Sequence, residues 1–174
     1  MIVAGDEASL YLQATSQVVW APIGQTPLIK VAPGREPLHF YGALNLQTGQ
    51  EVVMRTPIMN AATSVLFLQK LVDTYPHQPI LLLWDRATWH RGPAIQQFLA
   101  YHPTLEIFSF PPGSPDLNPQ EHVWKEARSQ VSHNHMLKKF DILVQQFENY
   151  LQANTFPCSL LELHAYQAIC ALFI

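Results

Sequence analysis

This sequence of 174 residues has few charged residues, almost no cysteine and no excess of positive charge. Its two cysteines, Cys158 and Cys170, cannot form a disulfide framework and their spacing fits no common zinc motif, so we interpret them as small buried residues. Charged residues make up 13% of the chain and the net charge is −3, which is not the electrostatic pattern of a free-standing DNA-binding protein. If nucleic acid is the substrate, metal ions or another domain must supply much of the attraction.

The sequence also lacks targeting and membrane-spanning segments. No basic N-terminal region precedes an apolar run, as it does in a signal peptide, and no stretch approaches the roughly 20 apolar residues of a transmembrane helix. We therefore expect a cytoplasmic protein with no membrane partner. Hydrophobic residues make up 48% of the chain, which is enough for a substantial core, and we expect residues 1–174 to form a single domain.

The alternation of apolar and polar residues predicts an antiparallel first part. We expect strands over residues 2–6, 9–15, 17–21, 38–46 and 51–54, with a hairpin turn over residues 48–50 before the last of them. The period then changes, and Asn60 is placed to cap a helix that runs to about residue 75. The apolar stripe expected on that helix consists of Val65, Leu68, Val72 and Tyr75.

The second part alternates strands and helices. Residues 80–84 are apolar on both faces, as expected of a central strand, and a short helix follows near Pro93. That helix is expected to turn Ile95, Phe98 and Leu99 inward. Further predictions are a strand over residues 105–110 and helices over residues 119–131, 141–153 and 160–172. The order predicts an α/β fold, a mixed sheet with antiparallel first strands, then parallel strands, and helices on both faces.

Three acidic residues, Asp6, Asp85 and Glu121, follow predicted strands or begin a helix. The last two come after parallel-type strands, at whose carboxyl ends ligands collect in open α/β sheets. Two unit charges 4 Å apart repel by roughly 4 kcal/mol at an effective dielectric near 20, so converging acids need a cation. Carboxylates are hard ligands suited to magnesium and manganese. The pattern predicts a divalent-metal site, whose most frequent chemistry is cutting or joining phosphodiesters.

Each acidic residue also has a simpler interpretation. Asp6 can end a strand, and Asp85 can cap the following turn. Glu121 can complete a capping box with Asn118 at the N-cap, worth about 0.5–2 kcal/mol. The substitution Glu121→Gln keeps such a box and removes a charged ligand. Two other carboxylates are reserves: Asp116 is expected to fix the shape of its turn, and Glu7 to point away from the site because side chains alternate along a strand.

Five segments, which together extend over nearly the whole chain, match the motifs of a known family: Gly5-Asp6-Glu7-Ala8, residues 20–27 (WAPIGQTP), Gly42-Ala43-Leu44, residues 84–90 (WDRATWH) and residues 111–121 (PPGSPDLNPQE). Taken together, these segments resemble the catalytic domain of DDE transposases, in particular the mariner-like superfamily and its bacterial insertion-sequence branch. Residues 111–121 carry the greatest specificity, and the spacing between Asp85 and Glu121 is close to that of the family.

The resemblance implies a ribonuclease H-like fold and a catalytic triad of Asp6, Asp85 and Glu121. It implies that the triad holds Mg²⁺, with Mn²⁺ as a substitute and two ions in all. The implied activity is cleavage of DNA by metal-activated water, followed by strand transfer from a freed 3′-hydroxyl. Asn118 and His90 match motif positions that support the site, and Asp116 lies in the same motif; a purely structural hydrogen bond is the alternative role for His90.

The sequence departs from the family at two points. Arg86 stands where the family usually has Asn, and we expect it to contact a phosphate of DNA. We also expect that the N-terminal helix-turn-helix region that reads transposon ends is not part of this chain, and that a separate N-terminal DNA-binding chain is a partner. Lys125 and Arg128 are further candidates for contact with DNA, and a solvated helix face is their alternative role.

The resemblance also implies partners and a location. They are the DNA of transposon ends and target, a second copy in a homodimer, and the nucleoid of a bacterial cytoplasm. Two other functions stay open. One is a different ribonuclease H-like DNA nuclease or resolvase, which hydrolyses DNA without joining it. The other is a catalytically silent, truncated domain that acts in dimerisation or inhibition.

Overall fold

A computed structural model describes residues 1–12, 22–24, 37–111, 117–133 and 139–156. Its strands are β1 (Ile2–Tyr11), β2 (Pro37–Asn45), β3 (Glu51–Thr56), β4 (Ile80–Trp84) and β5 (Leu105–Ser109). Its α-helices are α1 (Ala61–Thr74), α2 (Pro93–Tyr101), α3 (Pro119–Ala127) and α4 (Phe140–Ala153). A 3₁₀ turn spans Thr88–His90, and a π-helical turn over Arg128–Ser132 continues α3. Among the described residues, no helix combines the length and the apolar character that crossing a membrane requires.

The five strands form one mixed sheet in the order β3-β2-β1-β4-β5. The pairs β1–β2 and β2–β3 are antiparallel, and the pairs β1–β4 and β4–β5 are parallel. Strand β1 pairs with β4 only over Ile2 to Ala4, whereas it pairs with β2 as far as Tyr11. The two central strands therefore part after Ala4, and we call this opening the fork.

Helices cover both faces of the sheet, as the sequence predicts. Helices α3 and α4 pack on one face, which Ile2, Ala4 and Ala8 of β1 line, and α1 and α2 pack on the other face, which Val3 lines. The alternation along β1 thus assigns even-numbered residues to the α3/α4 face and odd-numbered residues to the α1/α2 face. Strand β4 is covered on both sides, which explains its continuous apolar run.

The structure corrects the predicted bounds of the first strand. Strand β1 is ten residues long, so Asp6 lies in the middle of a strand and not at its end, and residues 9–11 continue the same strand. The cause is β2, whose register partners accompany β1 as far as Tyr11. Residue 12, which was also predicted as strand, follows the end of β1, whereas the other predicted strand residues, 13–15 and 17–21, and the predicted helix over residues 160–172 lie outside the described residues.

The predicted helices need smaller corrections. Asn60 caps α1 in a complete capping box with Thr63, but Phe67 and Leu71 are buried in place of the half-buried Val65 and Val72. In α2 the predicted inward residues Ile95 and Phe98 are buried, and Leu99 is half-buried. Helix α3 ends at Ala127, before the predicted bound, because the backbone changes there to π-helical bonding.

Candidate active site

The fork of the sheet is also the place where the predicted site residues meet. Asp6 lies on β1 just beyond the last residue that pairs with β4, and Asp85 directly follows the end of β4. Helix α3 begins at the same place, since the Nδ2 group of Asn118 donates a hydrogen bond of 3.3 Å to the carbonyl of Gly5. The first turn of α3 carries Glu121.

The carboxyl group of Asp6 is buried under α3. The indole Nε1 of Trp124 donates a hydrogen bond of 3.2 Å to Asp6 Oδ2. The pKa of Asp6 rises to about 8, first because burial disfavours the charged form and then because the carboxylates of Glu121, Glu7 and Asp85 repel it. A hydrogen bond from the backbone of Glu7 opposes this rise only in part. Acidic groups from β1, β4 and α3 therefore act on one another at the fork.

The carboxylate of Glu121 is exposed and, among the residues that the structure describes, has no hydrogen bond or ion pair. Asn118 is the N-cap residue, as predicted, but its Oδ1 accepts from the backbone N–H of Gln120 and not from that of Glu121. No bond from the Glu121 side chain completes a capping box, in contrast to the complete box at the start of α1. Glu121 gains the general benefit of an acid in a first helical turn and is otherwise available for a ligand.

Asp85 forms the turn after β4 and also contacts a histidine. Its Oδ1 accepts a hydrogen bond of 2.9 Å from the backbone N–H of Ala87, so the predicted turn-capping role is present. The same oxygen lies 2.7 Å from Nδ1 of His90, although that N–H makes no directed hydrogen bond. The neighbouring His90 ring holds the pKa of Asp85 below its ordinary value, against the opposing effect of burial.

His90 is buried between two carboxylates. Its Nε2 lies 2.8 Å from Glu7 Oε1, and its ring stacks on Trp84 with centroids 3.5 Å apart. Burial alone would lower the pKa of His90, but the carboxylates of Asp85 and Glu7 outweigh it and raise that pKa to about 9. Burial in turn raises the pKa of Glu7, and the bond from His90 opposes that rise. His90 is therefore protonated at neutral pH and links Glu7 with Asp85.

The prediction for Glu7 is half right. Alternation does place it on the face opposite Asp6, but it does not point away from the site, because it reaches Asp85 through His90. Alternation along the strand predicts that Glu7 lies opposite Asp6, but it does not predict the side chain that Glu7 meets there, which is His90.

Within the described residues, one tight group of possible metal ligands is present. Glu7, Asp85 and His90 offer ligand atoms that all lie within 4.8 Å of one another. Within the described ranges, Asp6 and Glu121 do not join a group that tight. Asp85 belongs to this group and also acts on the carboxyl group of Asp6, so it is the member through which an ion would be shared with Asp6 and Glu121. The side chains of Asp6, Asp85 and Glu121 carry carboxylate oxygens, which are the ligands that magnesium and manganese prefer.

The other predicted site residues have the following positions. Arg86 and Lys125 are exposed, on the loop after β4 and on α3, and Arg128 is half-buried at the start of the π-helical turn. Their predicted contacts with DNA stay predictions. Asp116 lies outside the described residues, so its supporting role stays a prediction as well.

Comparisons with known proteins agree with this geometry. Residues 1–144 match the family described as DDE superfamily endonuclease. A relative from Sinorhizobium fredii (strain NBRC 101917 / NGR234), uncharacterized protein y4pE/y4sA, is 33% identical over 73 residues, which are 42% of this chain and 50% of the relative.

Solved structures share the fold. The Mos1 transposase paired-end complex with left transposon end matches with a TM-score of 0.69 and 17% identity, over 90% of this chain and 49% of that chain. The mariner Mos1 paired-end complex with Mn matches with a TM-score of 0.65 and 17% identity, over the same shares. The chain thus spans about half the length of the relatives it matches. The predicted ribonuclease H-like fold is confirmed by the mixed five-stranded sheet and by these matches.

Proposed function

This chain belongs to the DDE superfamily endonuclease family, and from that premise we propose that it is the catalytic domain of a transposase that cleaves and joins DNA. The observation that supports the proposal is that the carboxylates of Glu121 and Asp85 both act on the buried carboxyl group of Asp6, although the three residues come from elements far apart in sequence. We assign the catalytic and metal-binding roles to these three residues. Glu121 in particular has no structural bond that would explain its position.

The donor set fits divalent cations. A buried carboxyl group whose pKa is raised to about 8 by burial and by its acidic neighbours is a group that a cation would stabilise in the charged form. The proposed ions are Mg²⁺, or Mn²⁺ as a substitute, and two in number; a similar Mos1 complex contains Mn. When bound, such a pair of ions activates an attacking oxygen and stabilises the leaving oxygen of a phosphodiester.

The residues around the triad hold its members in place. Trp124 fixes one oxygen of Asp6 by its indole N–H, and Asn118 fixes the start of α3 against β1. His90, itself held by Glu7 and by stacking, contacts Asp85 from the protein interior. These contacts keep the carboxylates near the geometry that a reaction needs, and small displacements there reduce rates strongly.

We assign contacts with DNA to the basic side chains near the site. Arg86 and Lys125 are exposed, and Arg128 is half-buried, on the elements that bear Asp85 and Glu121. The chain carries a net charge of −3, so these few cations contribute local contacts to phosphates and cannot give strong affinity by themselves. A further partner must supply the rest of the attraction and the recognition of sequence.

The proposed partners follow from the similar proteins. The matched Mos1 structure is a paired-end complex with a transposon end, and this chain spans 49% of that chain. We propose transposon ends and target DNA as substrates, a homodimer as the active assembly, and a separate N-terminal DNA-binding chain as the reader of the ends. We also propose that the protein belongs to the bacterial insertion-sequence branch and is located at the nucleoid.

The first test is calorimetric titration of the chain with Mn²⁺. We compare the native chain with Asp85→Asn and Glu121→Gln. The matched control is Glu106→Gln, because Glu106 is exposed and lies on β5 beside Leu81, near the opposite end of β4 from Asp85. We expect both site variants to lose affinity by about tenfold or more, and the control to bind as the native chain does. Urea unfolding of each variant checks that the fold is retained. Equal affinity in all four proteins would refute the site.

The second test separates joining from simple cutting. A DNA duplex with a free 3′-hydroxyl at a transposon end is incubated with the chain, Mn²⁺ and a target plasmid. A joined product supports a transposase, whereas hydrolysed products alone support the nuclease or resolvase alternative. Binding of Mn²⁺ without any DNA product, in the presence of an end-reading chain, supports the silent domain.

A further inference from the structure

A buried polar pair links the edge strand β3 to the first turn of α3. The Nε2 group of Gln120 donates a hydrogen bond of 2.6 Å to Glu51 Oε1. The other polar atom of each side chain, Glu51 Oε2 and Gln120 Oε1, is buried and has no hydrogen-bond partner among the described residues. Burial also raises the pKa of Glu51 well above its ordinary value. Burying incompletely paired polar atoms costs stability, so an apolar pair would serve the core better.

A glycine makes the room for this pair. A Cβ atom on Gly42 would lie 2.3 Å from Glu51 Oε1, 2.5 Å from Gln120 Nε2 and 2.6 Å from Trp124. Gly42 is the register partner of Asp6 in the β1–β2 pair, and Trp124 is the residue that donates to Asp6. The polar pair and the Asp6–Trp124 bond therefore belong to one contact, in which α3 approaches the sheet more closely than any other residue at position 42 would allow.

We propose that Glu51 is a positioning residue for Glu121, which it holds at the fork by anchoring Gln120. This inference rests on the proposed function, because it assigns Glu121 a ligand's role. Gln120 is the residue before Glu121, so its anchor sets both the height of the first turn of α3 on the sheet and its rotation. The exposed Glu121 has no bond of its own that would set its position. The contact is thus kept for geometry at the site and not for stability.

The test measures Mn²⁺ affinity and unfolding in parallel. Glu51→Leu removes the acceptor while keeping a similar volume, and we expect it to lower Mn²⁺ affinity by about tenfold. Because it leaves the buried Gln120 amide without a partner, its urea midpoint should fall, whereas the double variant with Gln120→Leu should recover the native midpoint but not the native affinity. Glu51→Gln keeps an acceptor oxygen for the Gln120 amide and should retain affinity within about twofold. A purely structural role predicts native affinity in folded Glu51→Leu and in the double variant, whatever their urea midpoints.

A second variant removes the same contact from its other side, at Gln120 on α3. Gln120→Leu should lose as much affinity as Glu51→Leu, and the double variant should lose no more than either, because all three remove one anchor. If Glu51→Leu does not fold, the comparison of Gln120→Leu with the native chain still decides the question. Additive losses in the double variant, or native affinity in folded Gln120→Leu, would overturn the inference.

The titrations also separate this inference from the function on which it rests. If the native chain and Glu121→Gln bind Mn²⁺ equally, the proposed site itself is refuted. If Glu121→Gln loses affinity while the folded Leu variants bind as the native chain does, the site stands and only the positioning role of Glu51 is refuted.

Discussion

Binding of a divalent ion at the fork should expel a proton from Asp6. The pKa of Asp6 is raised to about 8, so at pH 7 about nine in ten molecules without an ion carry a proton on this carboxyl group. A cation that takes Asp6 as a ligand requires the charged form. We therefore expect about 0.9 proton to leave Asp6 per molecule at pH 7, and about 0.1 at pH 9, where the group is already ionised.

The proton count is measurable by calorimetry. Titrations with Mn²⁺ at pH 7 in two buffers of different ionisation enthalpy, and again at pH 9, give the number of protons released at each pH. Protons should be released and not taken up, because the raised pKa of Asp6 lets the ion-free protein hold a proton that the ion-bound protein cannot hold. Affinity should rise from pH 6 to pH 8 for the same reason.

Two outcomes would refute the reasoning. Proton release near zero at pH 7, with clear binding, would show that Asp6 is ionised before the ion arrives. Release that falls only to about 0.5 proton at pH 9 would assign the proton to a group of higher pKa, such as His90, whose pKa is about 9. The variant Asp6→Asn, which has no proton to lose at this position, is the control.

Three further predictions concern stability. Asn118→Ala should lower the free energy of unfolding by about 1 kcal/mol in urea, because it removes the N-cap bond of α3. Gly42→Ala should lower it by about 1–3 kcal/mol, because its methyl group meets three neighbours, whereas Gly92→Ala, with open space around it, should have little effect in the same assay. The pKa of His90 is raised from 6.5 to about 9, so its contribution to stability is fully present below pH 6.5 and is lost as the pH rises through 9. His90→Phe should remove this loss, as unfolding in urea at pH 6 and at pH 9.5 will show; a variant with the native pH dependence would contradict the assignment.

The sheet was predictable from sequence because its signals are local. Strand β4 carries an apolar run that only a strand covered on both faces needs, and its observed bounds agree with the prediction. The change from a period of two to a longer period, after the strand β3, located the first helix. The N-cap residues Asn60 and Asn118 were recognisable for the same reason, since a capping side chain acts within its own helix.

The site was only partly predictable because its remaining contacts join distant segments. No residue near Asp6 in the sequence indicates that pairing with β2 extends the first strand beyond Asp6. Alternation assigns Glu7 to a face, but the residue that it meets there, His90, comes from the other side of the fork. The pairing of Glu51 with Gln120 depends on how closely a helix approaches the sheet, which no periodicity encodes.

The fork has a consequence for which substitutions the chain can accept. Where β1 leaves β4, the carbonyl of Gly5 is met by the side chain of Asn118, whose other end caps α3. Position 118 therefore needs a donor and an acceptor on one short side chain. Aspartate would keep the cap and lose the donor, and serine would be too short to reach both, so either substitution would lose one of the two bonds by which Asn118 caps α3 and joins it to β1.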